Sequence, residues 1–585
     1  MYLSRRQFLS MLWSAAVASG IPIGRSFASN KNNLYDVENY GKVRLLHFTD
    51  CHAQLLPTYY REPNINLGIG VSNGRAPHLV GKNLLKRFNI SSNSPLAHAF
   101  TYLNYVDAAQ KFGKVGGFSH LATLIQQLRS EYGEHKTLLL DGGDTWQGSG
   151  TALWTRGKDM VETSNLLGVD VMTGHWEFTY QDDEVLENSR SSHADFVAQN
   201  INLTEEGMFE EKPTVDEATG HVFKPYVIKE FNGARIAVVG QAFPYTPIAN
   251  PKRFIPYWTF GIKEEELQKL VDRIIEVEKP ASVILLSHNG MDVDMKLASR
   301  VTGITAILGG HTHDGVPNAI EVKNANGITV VTNAGSNGKF LGVLDLEIAS
   351  NRVSGYRYKL LPIFSNLIPA NTEMQQCITE LRKPFIEKLD EKLGVANTLL
   401  YRRGNFNGTF DQVICNALTQ NLDAEISLSP GFRWGTTVLP NVPVSMEDVL
   451  NQTAMTYPET YVREMTGEQL KVALEDVSDN LFNEDPYYQQ GGDMVRLGGM
   501  DYVLNPHAKV GKRITEMTLD NGKKVEPNKN YKVAGWSTVN SKASGPPVWE
   551  IVADYIRDRK EIKLPKINTP KLVNVNDNPG IADTS

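Results

Sequence analysis

Lys42-Val-Arg-Leu-Leu-His-Phe48-Thr49-Asp50-Cys51-His52 reads as a short buried strand that stops at two metal-binding side chains. Apolar runs of this kind suit strands covered on both faces. Past the strand end, side chains two apart share a face, so Asp50 and His52 can converge on one ion while Cys51 points elsewhere as a small packing residue. Taken alone, a D-x-H is common by chance. Its recurrence in the chain, with different residues each time, decides the fold.

Lys136-Thr-Leu-Leu-Leu140 is a second such strand and ends in Asp141-Gly142-Gly143-Asp144. Residues 170–173 form a third, ending in Gly174-His175-Trp176-Glu177, and residues 235–239 a fourth. Residues 282–286 deliver His288, residues 306–308 deliver His311 and His313, and residues 328–331 follow. Between them lie helical patterns. Leu121, Leu124, Ile125 and Leu128 have amphipathic spacing, residues 159–167 form another helix, and Leu267, Leu270, Val271, Ile274 and Ile275 share a face. Strands alternating with helices, with polar groups at the C-terminal strand ends, point to an α/β domain built on open sheets.

The 585 residues, 41% hydrophobic, are enough for a large core and more than one domain. A net charge of −7 without a basic stripe argues against nucleic-acid binding. No apolar run reaches the roughly 20 residues that span a bilayer, so stable membrane insertion is not expected. Three cysteines, Cys51, Cys377 and Cys415, make neither a disulfide framework nor a thiolate zinc site, although one pair remains feasible.

At the N-terminus, Ser4-Arg5-Arg6-Gln7-Phe8-Leu9 precedes a moderately apolar run broken by Ser14, Ser19 and Gly20, then Ser26-Phe27-Ala28. This resembles a twin-arginine signal over residues 1–28, which implies export of folded protein to the periplasm. Residues 54–112 are poorly periodic and suit a rim or lid; His78 and His98 within them read as surface or loop histidines. The metal-binding domain is expected over 41–362, a linker with a helix over 363–393, a C-terminal substrate domain over 394–571, and a loose tail over 572–585. The second domain holds helical patterns at 410–418 and 467–480 and two glycine-rich turns, Pro430-Gly-Phe-Arg-Trp-Gly435 and Gln490-Gly-Gly-Asp493.

Asp50, His52, Asp144, His175, His288, His311 and His313 form a carboxylate and imidazole set without thiolate, which suits manganese, iron or zinc. They are too many for one ion and about right for two that share a carboxylate, a pair able to activate water and polarise a tetrahedral oxyanion.

In order and spacing, these motifs resemble the calcineurin-like metallophosphoesterases, and with a second domain behind them, the 5′-nucleotidase branch. The resemblance implies a four-layer α/β/β/α sandwich plus a C-terminal α+β domain that adds substrate contacts across a cleft. It also implies that one ion takes Asp50, His52 and His313, the other His175, His288 and His311, and that Asp144 bridges them. Asp141 falls outside that set. The family's Asn-His pair appears here as His175-Trp176, and Thr179 stands where the acidic partner of that histidine would be. Indole has no titratable function near neutral pH, so Trp176 removes a general acid that an alkoxide leaving group needs and a sulfur leaving group does not.

With Thr49-Asp-Cys-His-Ala-Gln-Leu-Leu-Pro57, Gly142-Gly-Asp-Thr-Trp-Gln-Gly-Ser149 and Pro430-Gly-Phe-Arg-Trp-Gly435, the chain closely resembles the SoxB thiosulfohydrolases. That resemblance implies two Mn2+, with Zn2+ or Fe as alternatives. It implies hydrolysis of a cysteine S-thiosulfonate on the SoxYZ carrier, reached through the carrier's C-terminal cysteine arm. Arg433 is then expected to pair with the sulfonate, and Trp176 and Trp434 to wall the channel. Arg402 and Arg403 lie near another substrate region of the family, at least one of them as a solvated charge, and Asp493 is a further candidate. Two other readings stand beside this one. The first is a periplasmic 5′-nucleotidase or other phosphoesterase, weakened by Trp176 and by the lack of a clear aromatic pair for stacking a base. The second is a non-catalytic, metal-containing protein that binds the carrier.

Overall fold

The computed structural model describes residues 34–231, 233–576 and 578–582, so the signal-like segment 1–28 lies outside the described residues. In chain order the first domain runs β1 (Val43–Phe48), β2 (Thr137–Asp141), β3 (Val171–Met172), β4 (Asp195–Phe196), β5 (Asn202–Leu203), β6 (Tyr226–Phe231), β7 (Ala234–Gln241), β8 (Trp258–Thr259), β9 (Ser282–Ser287), β10 (Ala306–Gly309), β11 (Ile320–Asn324), β12 (Gly327–Asn333), β13 (Phe340–Ala349) and β14 (Arg352–Pro362). One sheet is ordered β14-β13-β1-β2-β3-β4 and the other β11-β12-β10-β9-β7-β6, with β5 and β8 as a separate small pair. Strands β1 to β4 are parallel, as are β7, β9, β10 and β12; the antiparallel strands lie toward the edges.

The layers follow from which face each apolar residue takes. Val43, Leu45, Leu138, Leu140 and Val171 meet Ile236, Val238, Ile284, Leu286 and Leu308 between the two sheets. On one outer face Leu46, Phe48 and Leu139 pack against the helix Phe118–Tyr132 through Leu121, Leu124, Ile125 and Leu128. On the other, Val239, Leu285 and Ile307 meet the helices Glu264–Val277 and Met291–Arg300. The result is the expected four-layer α/β/β/α sandwich. Burial on both faces explains why its parallel strands read as continuous apolar runs rather than alternating ones.

Register aligns the strand ends that matter. Phe48 is level with Asp141, and Asp141 with Met172. In the second sheet Gln241, Ser287 and Gly309 are level. The loops that follow therefore all leave from one rim.

The excursion after β1 is more ordered than its composition suggests. It contains the helices Gly81–Phe88, Pro95–Phe100 and Tyr105–Phe112. His98, expected at the surface, is buried among the rings of Tyr105, Phe112 and Phe364. His78 is not a free loop histidine either: its Nε2 lies 2.7 Å from Asp292 Oδ2 and its Nδ1 3.0 Å from Asn66 Oδ1. Short helices packed onto a neighbouring sheet carry too few turns to show a period.

After β14, the helix Thr372–Arg382 packs Met374 and Ile378 into the first domain's core. The second domain is α+β. Its largest sheet orders Thr460–Thr466, Asn530–Trp536, Ile426–Ser429 and Arg496–Gly498. The helices Thr409–Asn421, Met446–Thr453, Gly467–Phe482 and Val548–Arg559 pack around it. The tail is not loose where it is described: Leu572 pairs with Leu504, and Val575 and Ile581 pack against the second domain's core. All three cysteines are free, and Cys51 is fully buried. Among the described residues no helix is long and apolar enough to cross a membrane.

Candidate metal centre

The rim loops are held in backbone conformations that side chains ordinarily avoid. Asp50, His52, Asp144, His311 and His313 all have positive φ, between 45° and 73°. Such clustering of strained non-glycine residues is a mark of functional sites, where surrounding bonds enforce the geometry. Those bonds are present. The N–H of Asp50 donates to the Gly143 carbonyl at 2.8 Å, His52 N–H to Asp144 O at 2.8 Å, and Asn337 N–H to Asp50 O at 2.8 Å. The Asp50 carboxylate accepts from His311 N–H at 3.0 Å and from the Thr49 hydroxyl at 2.6 Å. Gly310 is required here, because a Cβ would sit 2.4 Å from Thr49 Oγ1 and 2.9 Å from Asp50 Oδ2.

The seven candidate ligands are brought together in two groups, Asp50-His52-Asp144-His313 and Asp144-His175-His288-His311, with Asp144 common to both. Asp144 Oδ2 lies 3.2 Å from His175 Nδ1 and 3.0 Å from His288 Nε2; His52 Nε2 faces His313 Nε2 at 3.0 Å. Two rings are oriented from behind. His288 Nδ1 sits 2.6 Å from the Gly142 carbonyl and His52 Nδ1 3.2 Å from that of Gln147. A carbonyl only accepts, so each Nδ1 carries the proton and each Nε2 offers its lone pair inward, as histidines that bind metals are usually held.

The donor set fits cations. Buried nitrogens with no hydrogen-bond partner among the described residues include His175 Nε2, His313 Nδ1 and both ring nitrogens of His311. Leaving such groups unpaired is costly unless something binds them. Burial lowers the His175 pKa, brings His52 down to about 4, and holds His311 and His313 well below the usual imidazole range, so these rings are neutral and free to ligate. Against burial, the Asp144 and Asp50 carboxylates push His288 up to about 10, a sign of the negative field that a cation would answer. Against burial again, the imidazoles of His175 and His288 keep Asp144 well below the usual carboxylate range.

Glu177 was not singled out in the sequence for any role, and it clamps the site. Its buried carboxylate accepts from the backbone N–H groups of His175 at 2.8 Å, Asp144 at 3.2 Å, Thr145 at 2.7 Å and Trp146 at 3.2 Å. It thereby ties the loop after β2 to the loop after β3. Asp141 is likewise a support, accepting from Gly143 N–H at 3.0 Å and the Thr145 hydroxyl at 2.8 Å, and burial pushes it up to about 8. Phe243 was missed as well. It lies between two candidate ligands, its ring centroid 4.1 Å from those of both His175 and His311. Its place just past β7, on the rim that carries the others, was the available signal.

The second domain supplies the opposite wall of a cavity of about 460 Å³, lined by Asp144, His175, His311 and His313 on one side and by Phe432, Arg433 and Trp434 on the other. Trp176 meets Phe432 and Trp434 edge-on, with centroids 5.5 and 5.2 Å away, and Trp434 also stacks on His52 at 5.3 Å. The Trp176 N–H donates to Asp144 Oδ1 at 2.7 Å. The Thr179 hydroxyl contacts that of Thr456 across the domain boundary. Arg433 donates to the His311 carbonyl at 3.3 Å and to that of Gly492 at 2.7 Å, and so joins the two glycine-rich turns. The second turn lies directly on the site: a Cβ on Gly491, whose φ is +83°, would fall 2.2 Å from His311 Nε2.

The other charged candidates are buried. Neither Arg402 nor Arg403 is solvated, at 2% and 5% exposure. Arg402 donates to Asp411 at 2.7 Å and to the carbonyl of Gln452, a purely structural arrangement. Arg403 reaches back to the first domain, donating to the Thr312 carbonyl at 2.8 Å. Asp493 lines the cavity but is engaged by Arg496 at 3.2 Å and Asn405 at 3.1 Å.

Residues 392–552 match the 5′-nucleotidase C-terminal domain family. The whole structure resembles the sulfate thiohydrolase SoxB of Thermus thermophilus in complex with glycerol, with a TM-score of 0.86 and 33% identity over 93% of this chain and 98% of that one. A 5′-nucleotidase precursor, also from Thermus thermophilus, shares the fold, with a TM-score of 0.71 at 18% identity over 91% of this chain and 99% of that one. In sequence, the trifunctional nucleotide phosphoesterase YfkN of Bacillus subtilis (strain 168) is 28% identical over 73% of this chain and 31% of its own length. The snake venom 5′-nucleotidase of Gloydius brevicauda is 30% identical over 52% of this chain and 53% of its own length. The chain thus spans about a third of the first relative and half of the second.

Proposed function

Because the chain belongs to the SoxB family, within the 5′-nucleotidase branch of the calcineurin-like metallophosphoesterases, we propose that it is a thiosulfohydrolase acting on a cysteine S-thiosulfonate carried by a SoxYZ-type protein. Water adds its oxygen to the sulfonate sulfur, the bond between that sulfur and the neighbouring one breaks, and its electrons leave with the carrier as a persulfide. Sulfate and two protons are released. Residues 1–28 support export by the twin-arginine route, so the reaction is assigned to the periplasm.

Asp50, His52, Asp144 and His313 would hold one divalent ion, and Asp144, His175, His288 and His311 the other. Oxygen and nitrogen donors of this kind suit Mn2+, the ion the family resemblance implies, and also Zn2+ or Fe. When bound, such a pair polarises the sulfonate oxygens and acidifies water. The chain's own residues do the rest. Arg433 presents a fixed positive charge beside His311, suited to an anionic sulfonate. Trp176, Phe432 and Trp434 keep bulk water from the ligand side, which strengthens electrostatic interactions inside.

One observation carries the choice of leaving group. Among the described residues, the only imidazoles lining the cavity are His175, His311 and His313, themselves candidate ligands, and indole stands where a proton donor would be needed. A wall without a spare imidazole to act as general acid suits a persulfide, which departs without a proton, better than an alkoxide. The sequence relatives favour the phosphoesterase reading. Against it, Phe432 and Trp434 stack on each other, with centroids 4.1 Å apart and planes 18° from parallel, which leaves no gap between them for a base.

The deciding assay loads the protein with Mn2+ and measures sulfate released from thiosulfonate-bearing carrier beside phosphate released from AMP. Sulfate release that disappears in Asp144→Ala is expected. Brisk AMP hydrolysis would overturn the assignment, and carrier binding without turnover would leave a binding protein.

A further inference from the structure

The strand Thr460–Thr466 is an edge of the second domain's largest sheet, paired on one side only, with Asn530–Trp536. In an antiparallel ladder, alternate residues turn their backbone groups inward and outward. Thr460 faces outward and is satisfied locally: its N–H donates to Pro546 O at 3.1 Å and its carbonyl accepts from Gly545 N–H at 3.0 Å. Val462 and Glu464 face the same way. Among the described residues their outward N–H and C=O groups meet no backbone partner, and Val462 is 42% exposed. An uncovered edge of this kind is a template for another strand.

This edge lies beside the cavity. Tyr461 and Arg463, the residues that alternate with the outward-facing ones, line the same space as His175 and His311. Ile248, Val477 and Val539 add an apolar rim. Two arginines mark the path. Arg463 is exposed at the mouth, stacks over Tyr461 at 4.7 Å and makes no ion pair among the described residues, and Arg433 stands at the inner end, its Nε 3.8 Å from Asp493 Oδ1.

We propose that the Val462–Glu464 edge receives an extended peptide segment of a second protein as an added strand, and that this segment leads a side chain bearing an anionic thiosulfonate past Arg463 into the cavity. The proposal rests on the thiosulfohydrolase reading. The backbone edge supplies sequence-independent affinity, and the two arginines supply the preference for an anionic tip.

The test uses the Mn2+-loaded full chain and a synthetic glycine-flanked cysteine peptide carrying an S-thiosulfonate, with a small thiosulfonate of a single cysteine as the free substrate. Val462→Pro removes one outward N–H without touching the inner ladder, a placement that edge strands tolerate. The ratio of kcat/KM on the peptide to that on the free substrate should fall about tenfold in Val462→Pro, the worth of one or two hydrogen bonds, whereas Arg463→Glu, which meets the anionic tip that both substrates carry, should lower kcat/KM on both. Hydrogen exchange at the Val462 and Glu464 amides should slow when the peptide is added. Equal losses on both substrates in Val462→Pro, or unaltered exchange, would overturn the docking site while leaving the thiosulfohydrolase assignment intact. Slowed exchange without sulfate release from either substrate would overturn that assignment instead and keep the edge as a peptide site. Protection that appears in the protein alone and grows with its concentration would show that a second copy of the chain takes the edge, and would also overturn the proposal.

Discussion

On one side of the cavity stand Asp144, His175, His311 and His313, all from loops of the first domain; on the other stand Phe432, Arg433 and Trp434, from a single turn of the second. The two sides are fixed by different means. On the ligand side, strands in register deliver the loops, backbone bonds hold several of their residues at positive φ, and Glu177 ties two loops together. The far wall has no such lattice. Its rings are placed by packing on one another and on Trp176, and its arginine by two carbonyls, one from each domain, and by the Asp493 carboxylate. Reactivity and selectivity are therefore encoded separately, so substitutions on the two sides should fail differently.

The largest effect is expected from Glu177→Ala. It strips the acceptor from the backbone N–H groups of Asp144, Thr145, Trp146 and His175 in a site with no exposure to water. Each buried donor left unpaired costs about 1–3 kcal/mol, so even with partial rescue by water the loss should exceed about 3 kcal/mol. Thermal unfolding should shift down by several degrees, and metal analysis should find less than the two equivalents per chain expected of the parent. A variant with unchanged melting and full metal would show that the ligand loops hold themselves without the clamp.

Arg433→Ala probes the other side and should spare the metals. Losing a charge-assisted contact with the substrate should raise KM roughly tenfold to a hundredfold, while metal content persists. Because Arg433 also bonds the Gly492 carbonyl, Arg433→Lys should recover the charge but not the fork, and only part of the affinity. Loss of metal in either variant would place Arg433 with the ligand lattice and erase the distinction between the two sides.

The same division explains what could be read from the chain alone. Ligands at strand ends are announced locally: an apolar run stops, and a histidine or aspartate follows within a few residues, as at Asp50, Asp144 and His288. That pattern yielded the α/β reading and all seven groups that converge, while the four-layer sandwich came with the family resemblance. Glu177 was less legible because its partners are backbone N–H groups of two loops, which carry no residue identity. His98 looked like a loop residue because the rings that bury it, Tyr105, Phe112 and Phe364, come partly from far along the chain. At least one of Arg402 and Arg403 looked solvated for the same reason, since Asp411, Gln452 and Thr312 became their partners only after folding. The edge strand Thr460–Thr466 is a property of sheet order, which a period-two pattern does not contain.

Trp176 belongs to both sides, and Trp176→His should have the smallest effect on the native reaction. Its backbone N–H binds Asp144 whatever the side chain, so the ligand side keeps that contact. Its ring is what the wall loses, and with it two edge-on aromatic contacts worth about 0.5–1.5 kcal/mol each. Imidazole would return a proton donor to a place facing the leaving group. A persulfide does not need that proton, so sulfate release should hold or fall a few-fold, in line with the lost packing. An alkoxide does need it, so any gain should appear on a small alkyl phosphate, and not on AMP, whose base the Phe432–Trp434 stack still excludes. Parallel assays of sulfate, alkyl phosphate and AMP turnover separate these outcomes. A large rise in sulfate release would mean that departure of the sulfur group was limited by proton supply after all, and the argument from leaving-group chemistry would fail at its first step.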